Sequence, residues 1–297
     1  QEEHDTHGGV YAQVYGVSGL PQGETLLVNQ ETYHYQNNPS ITALKDGGFV
    51  ATWQDYNTVN NAGDTNNYGV SGQRFDASGV RLGEQFDINT YTTGAQLGPS
   101  VAAHGDGFAV AWRDDDGSAG SRGGSSYDVF TKVVSVTDAD GNAVDTPIAT
   151  ADEVLVNTYT AYSQEYPSVT TLADGTYVVT WHSYNQDGSS YGIYAQQYDA
   201  MGSVIGDEFR VNTYTSSDQS VPDVTALSDG GFVVAWRDSS GHDGGSSWDV
   251  RAQRYTSGVD ENGDVMTVAV GDEMRVNSYT SSTQQDPKVT ALTDGGF

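Results

Sequence analysis

The chain has 297 residues, and 12 Lys and Arg against 40 Asp and Glu give it a formal net charge of −28. That charge argues against nucleic acid and anionic membrane as partners, since both need a basic face. With no Cys, stability must come from packing, metal or repetition, and no apolar run is long enough to insert in a membrane. The 36 Gly and 19 Tyr, with few Lys, Leu or Met, read as short strands joined by many turns.

In chain order, GGVYAQVY from Gly8 is the first strand-like segment, and LLVN, ending at Asn29, is the next. Asn29 opens a unit that returns at Asn89, Asn157, Asn212 and Asn277. Seven residues after each Asn stands a Gln (Gln36, Gln96, Gln164, Gln219, Gln284), and ten after it a Pro (Pro39, Pro99, Pro167, Pro222, Pro287). Five copies matching at three positions establish an internal repeat. Within a copy, alternation after the Pro predicts a first strand (SITAL, SVAAH, SVTTL, DVTAL, KVTAL). An Asp-Gly or Gly-Asp-Gly turn follows, where Gly accepts a positive φ at no steric cost. A continuous apolar run (FVATW, FAVAW, YVVTW, FVVAW) predicts a second strand buried on both faces. After a polar loop, the third strand starts at Tyr68, Tyr127, Tyr191 or Trp248, and a fourth (FDIN, VLVN, FRVN, MRVN) leads into the next Asn.

Four short strands per unit of roughly 45–65 residues is the pattern of a β-propeller blade. The expected fold is therefore all-β, a β-propeller of four-stranded repeat blades, with four complete units, two half units and five or more blades. The boundaries are a trailing half blade over 1–25, repeats over 26–85, 86–153, 154–208 and 209–273, and a leading half blade over 274–297. Joining the two ends leaves out one second strand, so the chain is expected to be a segment of a longer polypeptide.

Several residue sets invite a functional reading. Trp53, Trp112, Trp181 and Trp236 follow apolar runs and are expected to fill gaps between blades rather than to stack on sugars. The repeated Asn and Gln are expected to satisfy buried backbone where the chain passes from blade to blade. The acidic loops suit calcium as cofactor, through Asp114 and Asp116, through Asp138, Asp140 and Asn142, and through Asp260, Asn262 and Asp264. Alternating Asp and Asn around a Gly places hard oxygens on one concave loop, although no loop completes an EF-hand and each also suits an ordinary Asx turn. Tyr68, Tyr127, Tyr191 and Trp248, at the head of the third strands, are the candidate ligand contacts, with Asp187 and Asp243 in the preceding loops. Long insertions over 57–67, 114–126 and 239–247 fall at that same point of the blade and predict one binding rim. Catalysis finds little support. The six His occupy unrelated repeat positions, no Gly-x-Ser-x-Gly elbow occurs, and Asp223 is the lone acid at the start of a first strand.

Units such as VNTYTSSDQSVPDVTALSDGGFVVAW followed by YGIYAQQYDAMGSVIGDEF resemble the tandem repeats of very large secreted, RTX- and adhesin-like proteobacterial proteins. The resemblance covers nearly the whole chain, but the Gly-Gly-x-Gly-x-Asp nonapeptides are absent. It implies an extracellular or bacterial cell-surface location. The function expected is that of a non-enzymatic structural or adhesive module, whose partners are neighbouring repeats, further copies of itself, glycans or a cell surface. The alternative expectation is a carbohydrate-binding propeller or a glycan-active enzyme on the same scaffold.

Overall fold

A computed structural model describes residues 8–32, 34–56, 68–115, 126–244, 248–259 and 265–297. The chain is all-β, built of four-stranded antiparallel blades of the β-propeller type. It divides into two units, one of residues 1–116 and 132–153, the other of residues 117–131 and 154–297.

In the first unit a hairpin of β1 (Tyr11–Tyr15) and β2 (Pro21–Leu27) precedes the sheet β3 (Gln36–Ala43), β4 (Phe49–Tyr56), β5 (Tyr68–Phe75) and β6 (Arg81–Asp87), paired in that order. The next sheet contains β7 (Ala95–His104), β8 (Gly107–Asp115), β9 (Asp128–Thr137) and β10 (Ala143–Ala149), with the short β11 (Val154–Leu155) also on β9. Strand β9 is divided between the units after Thr131. The second unit holds the sheets β12 (Gln164–Thr171), β13 (Tyr177–Tyr184), β14 (Tyr191–Tyr198), β15 (Val204–Arg210), and β16 (Gln219–Ala226), β17 (Phe232–Asp238), β18 (Asp249–Val259), β19 (Val265–Arg275). The stretch from Val276 to Phe297 forms turns without strands.

The turn between first and second strands shows why the sequence reads Asp-Gly-Gly. Asp229 Oδ1 accepts the Gly231 amide at 3.0 Å, and Gly230 sits at φ +89°. A Cβ on Gly231 would lie 2.3 Å from the Tyr255 carbonyl oxygen, so the third strand can pass only over a glycine.

All four repeated Trp are fully buried. In the second unit Trp236 packs with Leu172, Val178, Ile193 and Ala195 of the preceding sheet, and in the first Trp53 packs with Val10 and Val28. These two fill the space between successive blades, as aromatic area in a core should.

The repeated amides tie the same joints. The Asn side-chain oxygens accept third-strand amides: Asn29 from Val10 and Asn89 from Val70 in the first unit, Asn157 from Val129, Asn212 from Ile193 and Asn277 from Val250 in the second. Each Asn Nδ2 then donates to the carbonyl two residues on and to the Gln seven residues on, as Asn212 does to Tyr214 and Gln219. Gln Nε2 reaches a buried side chain at the end of the second strand: Asp55, Asp114 and Asp238 at 3.1, 3.1 and 2.9 Å, but Ser183 at 3.4 Å. Fourth-strand side chains close the joints from the other side, Gln85 accepting the Gln30 amide, Glu153 that of Thr90, Glu208 that of Thr158 and Glu273 that of Thr213. Each repeated Asn and Gln side chain is thus hydrogen-bonded, as burial demands.

Candidate functional site

Each first strand breaks register just before its Pro, between Asn37 and Ser40, Leu97 and Ser100, Glu165 and Ser168, and Ser220 and Asp223. The residue at the bulge is left-handed in every case: Asn38 (φ 49°), Gly98 (59°), Tyr166 (54°), Val221 (54°) and, in the last copy, Asp286 (51°). Bulges re-aim side chains. Here the bulge residue meets the side chain that follows the buried Trp. Asn38 Nδ2 donates to Gln54 Oε1 in the first unit, and Tyr166 packs on His182 in the second.

In the second unit this meeting point is the centre of a run of rings. Tyr166 lies 5.0 Å from His182, His182 4.4 Å from Tyr191, and Tyr191 5.0 Å from Tyr184. The run continues to Tyr162 at 5.7 Å and Tyr159 at 6.3 Å. Tyr162, Tyr166 and Tyr184 are exposed, while Tyr191 is half-buried and His182 buried. His182 Nδ1 accepts the Val221 amide at 3.3 Å, so the neutral ring carries its proton on Nε2.

Two carboxylates flank the run. Glu165 is the cross-strand neighbour of His182, and Asp218 precedes β16, its amide donating to Ser239 Oγ at 3.0 Å. Burial, then the charges of Glu165 and Asp218, push the Tyr191 hydroxyl up from its ordinary value. Asp218 Oδ1 is buried without a hydrogen-bond partner among the described residues, which leaves an acceptor beside the rings. Aromatic faces with convergent acceptors suit a ligand that combines apolar faces with hydroxyl edges.

The other ligand candidates are dispersed. Asp187 lies in the loop between β13 and β14, with Oδ1 accepting the Ser189 amide and Oδ2 close over Gly192. Burial, and then Asp187, push Tyr194 up to about 12. Trp248 is half-buried under Arg237, 4.7 Å from the ring centroid, and Arg237 lies 3.8 Å from Asp286. Tyr68 packs edge-on against Tyr56 in the first unit, and the Tyr127 carbonyl accepts the Gln164 amide. The side chain of Asp243 lies outside the described residues, as do 57–67, 116–125 and 245–247 of the expected binding rim.

Of the calcium candidates, Asp114 is buried and accepts from Gln96. Asp138 Oδ1 accepts the amides of Asp140 and Asn142, and Asn142 Nδ2 donates to both its carboxylate oxygens, which is an Asx turn. Those donors, the Asn142 amide first, hold the Asp138 carboxyl below its ordinary value. Asp140 is exposed, and Asp116, Asp260, Asn262 and Asp264 lie outside the described residues. Among the described residues no group of three His, Cys, Asp or Glu is placed to hold a metal ion. Asp223, the acid expected from the sequence at the start of a first strand, accepts from the Lys288 ammonium and the Val289 amide, so it serves a blade joint; β12 carries a further first-strand acid, Glu165.

Sequence reading missed His182, Glu165, Tyr166 and Asp218 as a set. The signal was the residue before the repeated Pro and its neighbour, which vary from copy to copy while the Gln and Pro on either side are kept.

No family model and no curated protein matches the chain. Among solved structures it is similar to Trypanosoma rangeli sialidase bound to the inhibitor DANA, at 12% identity and a TM-score of 0.47, over 87% of this chain and 40% of that one. It is similar to an endo-arabinase from Bacteroides thetaiotaomicron VPI-5482 at 14% identity and TM-score 0.42, over 94% of this chain and 100% of that one. A third is the GH93 α-L-arabinofuranosidase of Fusarium graminearum, at 12% identity and TM-score 0.48, over 79% of this chain and 66% of that one. This chain thus spans well under half the length of the sialidase. At TM-scores below 0.5 these likenesses assign the chain no activity and no substrate. The three structures named are glycan-cleaving enzymes by name, which runs against the expectations of a non-enzymatic structural or adhesive module and of no enzymatic activity.

Proposed function

We propose that the protein acts on glycans, and that it engages them on the ring run of the second unit. The carrying observation is the sequence of packed rings from Tyr166 through His182, Tyr191 and Tyr184 to Tyr162, flanked by Glu165 and Asp218. Sugar rings offer apolar C–H faces to aromatic side chains and hydroxyls to carboxylates, so this combination matches their chemistry. Glycoside hydrolysis needs two carboxyl groups, one to protonate the leaving oxygen and one to activate water or attack. Glu165 and Asp218 are the pair this surface offers. His182, its Nδ1 held by the Val221 amide, presents a fixed tautomer within the run.

The test is reducing-end release, alongside affinity electrophoresis, on arabinan, xylan and sialyl-oligosaccharides. Turnover is expected for the wild type, and E165Q and D218N are each expected to lose it while still binding. Binding without turnover would reduce the function to carbohydrate recognition. Neither binding nor turnover on any of these would refute the proposal.

A further inference from the structure

The left-handed bulge before each Pro is a requirement of the blade, but the side chain on it is not. Gly98 makes the bulge with no side chain, and a Cβ built there meets nothing within 4 Å. Asn38 suits the same conformation, since a short polar side chain tolerates left-handed backbone. Tyr166 does not. A bulky residue at φ 54°, held left-handed next to Pro167, carries a conformational cost that Gly or Asn would avoid. The residue is 51% exposed, so core packing does not repay that cost.

We infer that Tyr166 is held at this strained position to read the ligand: its ring, backed by His182 and Tyr191, is the stacking platform for one face of an uncharged sugar, whose hydroxyls meet Glu165 and Asp218. This rests on the glycan reading of the ring run and names the residue and ligand class within it. The charge class follows from the surroundings. Two carboxylates repel a uronic or sialic acid, whereas a hydroxyl donates to them. Among the described residues the cation–ring contacts of this unit, Arg237 over Trp248 and Arg251 over Tyr214, involve other rings. Val221 and Asp286 occupy the same left-handed position in the next copies with different side chains.

The experiment compares wild type with Y166G, Y166N and Y166F in two measurements. One is the melting midpoint, and the other is affinity electrophoresis against arabinan and xylan as uncharged probes and polygalacturonate as the anionic one. Y166G and Y166N are expected to melt at the wild-type temperature or about 2–4 °C above it, because strain is relieved. Both should lose about tenfold or more in affinity for the uncharged probe, the worth of one buried aromatic contact. Y166F keeps the ring and should bind like the wild type. A lowered midpoint in Y166G with affinity unchanged would make Tyr166 a structural residue and overturn the inference alone. Tighter binding of polygalacturonate than of arabinan and xylan would overturn the ligand class. A wild type that binds none of the probes would overturn the glycan reading and this inference together.

Discussion

Replacing Asn212 by Ala tests whether the repeated amides hold the blades together. The side chain is buried, and its Oδ1 accepts the Ile193 amide at 2.6 Å. Its Nδ2 donates to the Tyr214 carbonyl at 2.8 Å and to Gln219 Oε1 at 3.2 Å. Truncation strands one donor and two acceptors out of reach of water. Stranding a buried polar group costs about 1–3 kcal/mol, and some relaxation is available, so the expected loss is about 3–5 kcal/mol. Asn277 is the internal control. It makes the same bonds to Val250, Tyr279 and Gln284, but it is half-buried and water can replace them. N277A should therefore cost about 1 kcal/mol, the ordinary net worth of a hydrogen bond. Urea unfolding followed by tryptophan fluorescence reports both, since Trp236 lies fully buried in the joint that Asn212 closes. Equal losses in the two variants, or a loss below about 1 kcal/mol in N212A, would refute the role given to the joint network.

Three further outcomes are expected. Trp236→Ala should cost about 3–5 kcal/mol by opening a cavity between the two blades of the second unit, read from the urea midpoint. Gly231→Ala should cost about 3 kcal/mol, because its Cβ would lie 2.3 Å from the Tyr255 backbone oxygen, whereas Gly230→Ala strains only a positive φ and should cost about 1 kcal/mol. Stability should also depend on pH in a set direction. Burial holds the Asp55 and Glu273 carboxyls above their ordinary values, so the folded state binds their protons more tightly than the unfolded chain does. Their contribution should grow as pH falls from neutrality toward the ordinary carboxylate range and be lost as pH rises through the folded values, which D55N should flatten in urea midpoints measured across acid pH. At the alkaline end, burial pushes Tyr177 and Tyr194 up to about 12, so these two hydroxyls ionise first in the unfolded chain and stability should fall from about pH 10 upward, with their share of the phenolate absorbance appearing as a step on unfolding.

The frame was legible because its parts are local and repeated. Asn, Gln and Pro at fixed offsets, an Asp-Gly turn and an apolar run ending in Trp each dictate a backbone event within a few residues. Five copies made those events countable, and the paired strands, buried Trp and bonded amides follow from them. The fourth-strand acids were equally regular, since Glu153, Glu208 and Glu273 stand four residues before their Asn, with Gln85 in the matching place. Their meaning was hidden because each bonds an amide at least 50 residues away. The candidate site was illegible for a different reason. Tyr166, His182, Tyr191 and Asp218 come from three strands and a loop, and only the bulge before Pro167 turns the tyrosine onto the histidine. Periodicity assigns residues to faces of a strand, but a bulge resets the face, so alternation alone places Tyr166 wrongly.

The blade that carries the ring run is also the one whose frame departs from the rest. In three sheets the second strand ends on a buried acid that accepts from the repeated Gln, through Asp55, Asp114 and Asp238. In the ring-bearing sheet that place is Ser183, and the Gln164 bond lengthens to 3.4 Å. A hydroxyl accepts less strongly than a carboxylate, so this joint gives up charge-assisted bonding that the others keep. Glu208 compensates from the fourth strand by accepting from the Thr158 amide and hydroxyl and from Gln186, bonds that lie toward solvent and tie down the stretch before Tyr159 and the loop after Tyr184. The blade gives up its second-strand acid and keeps the fourth-strand carboxylate, which stands at the foot of the aromatic surface. There it fixes the segments that present the rings. A blade serving only as packing material has no reason to make that exchange, and a blade that must hold rings open to a ligand does.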